Sequence, residues 1–505
     1  MIVKVSFLFK TTFFALKIFH ICSIGYSQSS IPRNHQILPL YRLFNDYKMD
    51  LINGNKKTNK KLHLILNTQL IYNNGHQNID NNAEIFSRGR LTRFNSFRFS
   101  YSGDWYLLEF EPYQLESQGN LNSFDKNIDL GTYQINNNLL LNDNDIKKDF
   151  GLKQSQIILH YNGIGFGYGK ISNWWGPGYH SSISLSTNAK SLETFSLGSF
   201  KDIELGNFSI GAKIIAMPYK STNDIQLYFS GLNSSITYNS KPKITLGLNR
   251  TFISGQIANL NQNTNFKKKW TISDAAKLVI EPLFGSSKTN LDYTIPGTPG
   301  FDYWDEVLTG YFKISFPELH LNVYADIASD DNRSNFTDLR AHWDHTLGYT
   351  LGINKFSKMN GYIVFTGYEL LSTKQSNTMN PVFFRGSPSQ NNFYTYSYHD
   401  YFSYEGRRIG AHSGTSSDDS IFYLGIGNNK IYSLISYNKE RHGVNSVTYP
   451  ELKYEFRIAT QYNISSNHVI NITLESERIN NYHYSNNEKS QSTIIWLGYN
   501  FKIEK

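Results

Sequence analysis

The residues best suited to bind a ligand lie in one short stretch, ISNWWGPGYHSSISLSTN, residues 171–188. Trp174 and Trp175 are adjacent and offer two flat aromatic surfaces, and hydroxyl and amide side chains follow as hydrogen-bonding groups. The Gly-Pro-Gly sequence at 176–178 is incompatible with a regular helix or a central strand. We therefore expect a shaped loop that carries aromatic surfaces.

Patterns typical of hydrolytic enzymes are missing from the sequence. It contains no Gly-X-Ser-X-Gly and no His-Glu-X-X-His, and its one cysteine is Cys22. Two polar clusters are weak candidates for a metal site or an acid pair: His342 with Asp344 and His345, and Asp326 with Asp330 and Asp331. Neither has an evident further ligand or partner nearby. We predict no enzyme, no bound metal and no cofactor.

The first 27 residues have the pattern of an export signal. Lys4 and Lys10 supply positive charge, and an apolar run interrupted by Lys17 extends to Ile24. Small residues follow at Gly25-Tyr26-Ser27, where a signal peptidase would cleave. Cys22 falls inside this segment, so the exported chain is expected to contain neither disulfides nor thiolate metal ligands.

Composition indicates an outer-membrane protein. Aromatic residues make up 15% of the 505 residues, whereas mean hydropathy is −0.44. No stretch after the signal approaches the roughly 18 to 20 apolar residues of a spanning helix. This profile is typical of a β-barrel in the outer membrane of a Gram-negative bacterium, in contact with lipid, although a secreted soluble β-protein is an alternative. Removal of the three lysines of the signal lowers the net charge from +8 to +5, which is too mild to indicate nucleic acid.

Alternation of apolar and polar residues predicts membrane-spanning strands. In LKYEFRIATQYNI, residues 452–464, nearly all apolar residues fall on one face and Lys, Glu, Arg, Gln and Asn fall on the other. Residues 319–328 and 469–477 repeat the scheme. Such segments approach the roughly 9–11 residues of a tilted transmembrane strand. We predict an all-β fold, a closed antiparallel transmembrane barrel of about 18 strands.

The barrel is expected to form one domain over residues 61–505, because an open sheet edge cannot be exposed to lipid. Residues 28–60 are predicted to form a short periplasmic helix and a linker. Three insertions rich in Asn, Ser and Gly are predicted to be extracellular loops: 114–152, 253–303 and 372–419.

A glycine stripe precedes the tryptophan pair. Every second residue of NGIGFGYGK is glycine, which places Gly163, Gly165, Gly167 and Gly169 on one face of a strand. Without side chains there, another segment can lie close to the backbone on the lumen side. The tryptophan loop, folded inward, is the predicted segment. Alternatively, the glycines only permit the barrel wall to curve.

The stretch KISNWWGPGYHSSISLSTN, residues 170–188, resembles the signature of the Wzi-like capsule assembly family. Three further regions resemble the family in the expected order: residues 319–331, 347–353 and 398–427. The resemblance implies an 18-stranded outer-membrane barrel that is closed by its loops and acts as a lectin for capsular polysaccharide. The best-known members carry a helical bundle before the barrel, and residues 28–60 are too short for one.

Two groups of side chains are candidates to bind polysaccharide, because sugar rings stack on aromatic planes and polar groups bond the hydroxyls. The first is Trp174, Trp175, Tyr179, His180 and Asn188, and the second is His399, Tyr401, Tyr404, Arg407, Arg408 and His412. The arginines could pair with sugar carboxylates. Alternatively, the tryptophans lock the loop or form a membrane girdle, and the arginines pair with Asp418 and Asp419 or with Asp330 and Asp331.

The main prediction is therefore a non-catalytic barrel that anchors capsular or other surface polysaccharide, with a polysaccharide export channel as a candidate partner. An open diffusion porin is the first alternative and predicts ion conductance. An outer-membrane enzyme acting on glycans is the second, and it predicts that one acidic or histidine residue is essential for product formation.

Overall fold

A computed structural model describes residues 62–76, 80–82, 84–85, 90–118, 147–220, 226–255, 305–330, 347–374, 393–394, 402–444 and 446–504. The predicted signal peptide and the predicted helical segment at 28–60 lie outside these residues. One 3-10 helix is present in the described part, Tyr482–Tyr484. No helix within it is long and apolar enough to cross a membrane.

The strands form in chain order as follows: β1 (Leu62–Asn73), β2 (Arg90–Ser102), β3 (Tyr106–Phe110), β4 (Pro112–Ser117), β5 (Lys147–Leu152), β6 (Ser155–Tyr161), β7 (Ile164–Ile171), β8 (Leu192–Ser199), β9 (Ile203–Leu205), β10 (Phe208–Lys220), β11 (Gln226–Tyr238), β12 (Lys243–Gly255), β13 (Asp305–Phe316), β14 (Leu321–Asp330), β15 (Leu347–Met359), β16 (Tyr362–Ser372), β17 (Ser403–Tyr404), β18 (Arg407–Arg408), β19 (Asp418–Gly427), β20 (Ile431–His442), β21 (Glu451–Asn463), β22 (His468–Asn480) and β23 (Lys489–Glu504).

All strands except β17 and β18 belong to one antiparallel barrel, which closes where β1 pairs with β23, for example Leu64 with Ile503. Three barrel strands are each interrupted once: β3 continues into β4, β5 into β6 and β8 into β9. The barrel therefore has 18 strands, as predicted. Closure satisfies the backbone groups of both terminal strands, which lipid could not do.

Alternation along each strand separates an apolar outer face from a polar inner face. In β21, Phe456 is 47% exposed on the outside, whereas its neighbours Glu455 and Arg457 are buried inside. The outward aromatic and aliphatic side chains form the apolar outer surface that is typical of transmembrane barrels. The period-2 pattern read from the sequence is thus the pattern of the barrel wall.

The two ends of the barrel differ in their connections. At one end, which we call the short-turn end, strands are joined by two to four residues, as between β15 and β16 or β19 and β20. At the other, the long-loop end, the connections include residues 172–191 between β7 and β8 and residues 373–417 between β16 and β19. Strands β4 and β5 extend into the insertion predicted at 114–152, and β16 and β19 extend into that at 372–419.

The lumen contains a hydrophobic core. Residues 172–191, called the Trp loop below, and the β17–β18 hairpin fold into the barrel and pack against its wall. Their buried side chains form one cluster with wall residues such as Ile215, Phe229 and Ile253. Loops that fill a barrel in this way bury apolar area that an open channel would leave in water.

Candidate functional site

The Trp loop is held in shape by its own hydrogen bonds. The Trp175 N–H donates to the Leu185 carbonyl at 2.9 Å, and the Trp174 indole Nε1–H donates to the Gly178 carbonyl at 2.8 Å. The Ser182 hydroxyl donates to the Trp175 carbonyl. These bonds satisfy groups that the Gly-Pro-Gly turn removes from any strand ladder, so the loop can be buried.

Glu369 of β16 attaches the Trp loop to the barrel wall. Its carboxylate accepts the backbone N–H groups of Tyr179, His180 and Ser181 at 2.7, 3.0 and 2.8 Å. It also accepts the Tyr324 hydroxyl at 2.5 Å. Hydrogen bonds to an ionised acceptor are roughly twice as strong as neutral ones. This buried carboxylate therefore fixes the depth of the Trp loop in the lumen.

Trp175 lies at the centre of the lumen cluster. Its side chain is completely buried, and its ring packs against Gly231 of β11, where an added Cβ would stand 2.7 Å from the indole. Ile183 and Leu185 of the same loop are buried beside it. Trp174 is also buried, at 7% exposure. In this structure both tryptophans are packing residues that lock the loop, which was the alternative to sugar binding. Neither ring offers a face to a surface ligand.

The Trp loop and the hairpin are bonded to each other. The Ser186 N–H donates to the Ile409 carbonyl at 2.9 Å, and the Ser186 hydroxyl donates to the Gly410 carbonyl. The Tyr394 hydroxyl donates to the Ile183 carbonyl at 2.5 Å. We call the assembly of the Trp loop, Phe393–Tyr394 and residues 402–417 the plug, because it fills the lumen as one unit.

Arg407, Arg408 and Asn188 lie inside this plug. Arg407 Nη2 donates to Asn188 Oδ1 at 2.6 Å, and Asn188 Nδ2 donates to the Arg408 carbonyl at 3.0 Å. Arg408 is completely buried and donates to the Tyr394 carbonyl at 3.3 Å. Burial lowers the pKa of Arg407 to about 10, although the negative charges of Asp80 and Glu84 act to raise it. The arginines thus stabilise the plug from within.

The aspartates expected to pair with the arginines have other partners. Asp418 pairs with Lys374 at 3.4 Å and also with Arg441. Asp330 accepts the Tyr394 N–H at 3.0 Å, so it too holds the plug to the wall. Asp331 lies outside the described residues.

Asp419 faces two histidines. The Nε2 atoms of His180 and His412 each lie 3.1 Å from its Oδ2, and the imidazole rings meet edge to face at 4.6 Å. We call these three residues the His–Asp cluster. Burial would lower the pKa of His180, but the carboxylates of Asp419, Glu369 and Glu440 raise it to about 9. The cluster joins the Trp loop, the plug segment after the hairpin and the wall.

The hairpin tip reaches the rim of the long-loop end. Tyr404 packs edge to face on Tyr219 at 5.6 Å and is only half-buried. Lys190 bridges Asp149 and Glu405 at 2.7 and 2.6 Å, and the Glu405 side chain is 41% exposed. Burial and the neighbouring Glu405 raise the pKa of Tyr404 to about 12. Of the predicted sugar-binding groups that the structure describes, Tyr404 is the one placed at this rim.

Other predicted residues have different positions. Tyr179 is partly exposed and points toward Lys313, whose Nζ donates to its hydroxyl at 3.1 Å. His399 and Tyr401 lie outside the described residues, as do the predicted metal candidates His342, Asp344 and His345. Asp326 and Asp330 are buried on the inner face of β14.

The glycine stripe forms the inner face of β7, opposite the exposed Ile164, Phe166 and Tyr168. Gly163 instead occupies the preceding turn, at φ +88°. The atoms nearest to a Cβ added at the other three glycines belong to the adjacent β6 backbone or to Ser196 and Phe200: Gly165, Gly167 and Gly169. The packing partner thus differs from the predicted one, because the Trp loop passes to Gly231 on the wall of β11.

Glu369 and Gly231 were not singled out in the sequence. A charged residue at an inward strand position between apolar neighbours, as in YELLS, is the signal that could have found Glu369. Its partners in the Trp loop are about 190 residues away in the chain, so no local pattern names them.

Comparisons with known proteins agree with this architecture. The barrel of Wzi, described as an outer-membrane protein involved in group 1 capsule assembly in Escherichia coli and as a carbohydrate-binding β-barrel, matches with a TM-score of 0.58 and 10% identity, covering 95% of this chain and 94% of that one. Two other solved structures match less well. They are Pseudomonas aeruginosa OpdK (TM-score 0.42, 9% identity, 88% and 99% covered) and Acinetobacter baumannii OccAB4 (0.40, 9%, 89% and 100%).

The sequence comparisons identify the family. A search of curated proteins gives no match. The family model described as capsule assembly protein Wzi matches residues 116–494, which include the Trp loop, the hairpin and most of the barrel wall. With this match over more than half of its length, the chain belongs to the Wzi capsule assembly family.

Proposed function

We propose that this protein binds capsular or another surface polysaccharide at the outer membrane and anchors it to the cell without changing it chemically. Its family membership supports a role in capsule assembly. The solved E. coli barrel of the same fold is described as carbohydrate-binding. Single-chain bacterial barrels have short periplasmic turns and longer extracellular loops. We therefore orient the long-loop end toward the cell surface.

The filled lumen is the observation that carries this proposal. A diffusion porin keeps an aqueous channel. In this barrel, Trp175, Tyr394 and Phe402 are completely buried in one lumen cluster. A packed plug favours an anchor whose outer surface binds, rather than a passage through which solutes move.

The rim of the long-loop end offers a suitable surface. Tyr404 supplies an aromatic plane for a sugar ring, and Lys190 and Glu405 supply groups that bond hydroxyls or sugar carboxylates. We propose Tyr404 as a contact residue and the buried Trp174, Trp175, Arg407 and Arg408 as residues that support it. A polysaccharide export channel is a further candidate partner, to be sought by co-purification.

Co-sedimentation of the purified barrel with the host's own surface polysaccharide tests the proposal. We expect Tyr404→Ala to bind about tenfold more weakly, a change of roughly 1.4 kcal/mol. Tyr462→Ala, at the short-turn end, is the matched control and should bind normally. The length of the polymer should not change.

Two outcomes would contradict this function. Absence of binding by the wild-type barrel, together with ion conductance in planar bilayers, would indicate a porin. Shortening of the polymer during incubation would indicate an enzyme.

A further inference from the structure

The His–Asp cluster brings three potential metal ligands to one point. His180 belongs to the Trp loop, His412 follows the hairpin, and Asp419 lies at the start of β19. Their ligand atoms lie within 4.8 Å of one another, and each imidazole Nε2 is 3.1 Å from Asp419 Oδ2. Three segments of chain thus meet at a single set of nitrogen and oxygen atoms.

These atoms contact one another as ion pairs whose hydrogen-bond geometry is poor. Within the described residues, neither Nε2 atom and neither carboxylate oxygen of Asp419 makes a hydrogen bond of acceptable geometry. The side chains of His412 and Asp419 are completely buried. Buried polar atoms almost always have a partner, so their convergence without directed hydrogen bonds points to a missing ligand between them.

We propose that His180, His412 and Asp419 bind a divalent transition metal ion, with Zn²⁺ as the preferred ion, that fastens the plug to the barrel wall. Zinc takes imidazole nitrogen and carboxylate oxygen at about 2.0–2.2 Å, which sets two of its ligand atoms roughly 3 to 3.5 Å apart. The observed 3.1 Å separations fit this geometry. Calcium and magnesium prefer oxygen ligands and suit the site less well.

The surroundings of the cluster suit a cation. Asp80 and Glu440 also approach His412, with ligand atoms within 4.8 Å of one another. Lys453 balances part of this negative charge, since it pairs with Asp80 and lies 3.0 Å from Glu440. His442, 2.8 Å from Glu440, balances more of it, and a divalent ion would add positive charge beside the carboxylate of Asp419.

Asn81 is placed to orient one of the ligands. Its side-chain amide lies 3.3 Å from His412 Nδ1, and its Oδ1 has no hydrogen-bond partner in the described part of the chain. The Nδ2 atom of the same amide donates to the His180 carbonyl at 3.0 Å. Asn81 thus holds the backbone of His180 beside the ring of His412.

Metal analysis of the full chain tests this site. The barrel, purified in detergent without chelator and then supplied with ZnCl2 and dialysed, should retain one equivalent of zinc by mass spectrometry. His412→Gln and Asp419→Asn should each weaken zinc binding about 100-fold or more. His76→Gln is the matched control, because His76 is equally buried and contacts one carboxylate, Glu477, but no second histidine. It should bind zinc normally.

Cobalt substitution distinguishes this site from adventitious binding. Co²⁺ should give visible ligand-field bands in the wild-type and His76→Gln barrels and none in His412→Gln. A folded barrel migrates faster on a gel when the sample is not boiled, so this comparison checks that each variant is folded. The proposal is wrong if the wild-type barrel binds no zinc, if both cluster variants retain it, or if His76→Gln loses it.

Discussion

The Trp loop and the tip of the β17–β18 hairpin share one lumen but differ in their surroundings. Residues 181–189 of the Trp loop are all buried, and Glu369 holds the backbone just before them. The hairpin tip reaches the rim, where Tyr404 and Glu405 keep part of their surface exposed. Both segments contain aromatic and polar residues, so composition alone does not separate a packing segment from a binding surface. The position of each segment relative to the barrel wall distinguishes the two.

Trp175→Ala should have the largest effect on the difference between the buried Trp loop and the exposed hairpin tip. Removal of a buried aromatic side chain costs about 3–5 kcal/mol, and here it empties the centre of the lumen cluster. We expect the Trp loop to become accessible to protease and the barrel to conduct ions. Trp105→Ala, which alters a 60% exposed side chain, should change neither property. A Trp175→Ala barrel that stays closed and resistant would contradict the central role of this ring.

Glu369→Gln should have the next largest effect. The substitution keeps the shape of the side chain but replaces an ionised acceptor of three N–H groups with a neutral amide. We expect a loss of about 2–3 kcal/mol in plug stability, measured as faster amide hydrogen exchange at residues 179–181. Glu318→Gln, in an exposed pair with Lys241 at 3.3 Å, should change stability by less than about 1 kcal/mol. Unchanged amide hydrogen exchange in Glu369→Gln would mean that the Glu369 carboxylate does not stabilise the Trp loop.

The double variant Arg407→Ala/Arg408→Ala tests whether these arginines stabilise the plug or contact the polysaccharide. Because both guanidinium groups bond inside the plug, we expect a loss of about 1–3 kcal/mol and a parallel loss of polysaccharide binding and protease resistance. Tyr404→Ala should lose binding alone. If the double variant lost binding while its plug stayed resistant, the arginines would contact the ligand directly.

Lys190→Ala should have the smallest effect. Its pairs with Asp149 and Glu405 are partly buried, with 15% of the Lys190 side chain exposed, and their loss should cost about 1 kcal/mol. Salt screens partly buried pairs less than exposed ones, so the small decrease in Tm should persist as ionic strength rises. A decrease that disappears at high salt would show that these pairs are open to solvent.

The sequence predicts the barrel well and the plug only in part. Period-2 alternation identifies the wall because each strand has an exposed outer face and a buried inner face, so the pattern is local and repeated, as in β21. Gly-Pro-Gly at 176–178 likewise predicts a loop. The positions of Trp175 and Arg408 depend instead on Gly231, Glu369 and Tyr394, which are distant in the chain. No local periodicity encodes such partners, so their burial could not be predicted.

The attachment of the Trp loop has a consequence for the order of assembly. The loop follows β7, yet the wall groups that hold it lie on β11, β16 and β19. Contacts between residues so far apart in sequence form slowly, because a long segment of chain must be ordered first. The plug can therefore seat only after more than half of the barrel has paired. Until β11, β16 and β19 are in place, the lumen of the assembling barrel would be unfilled.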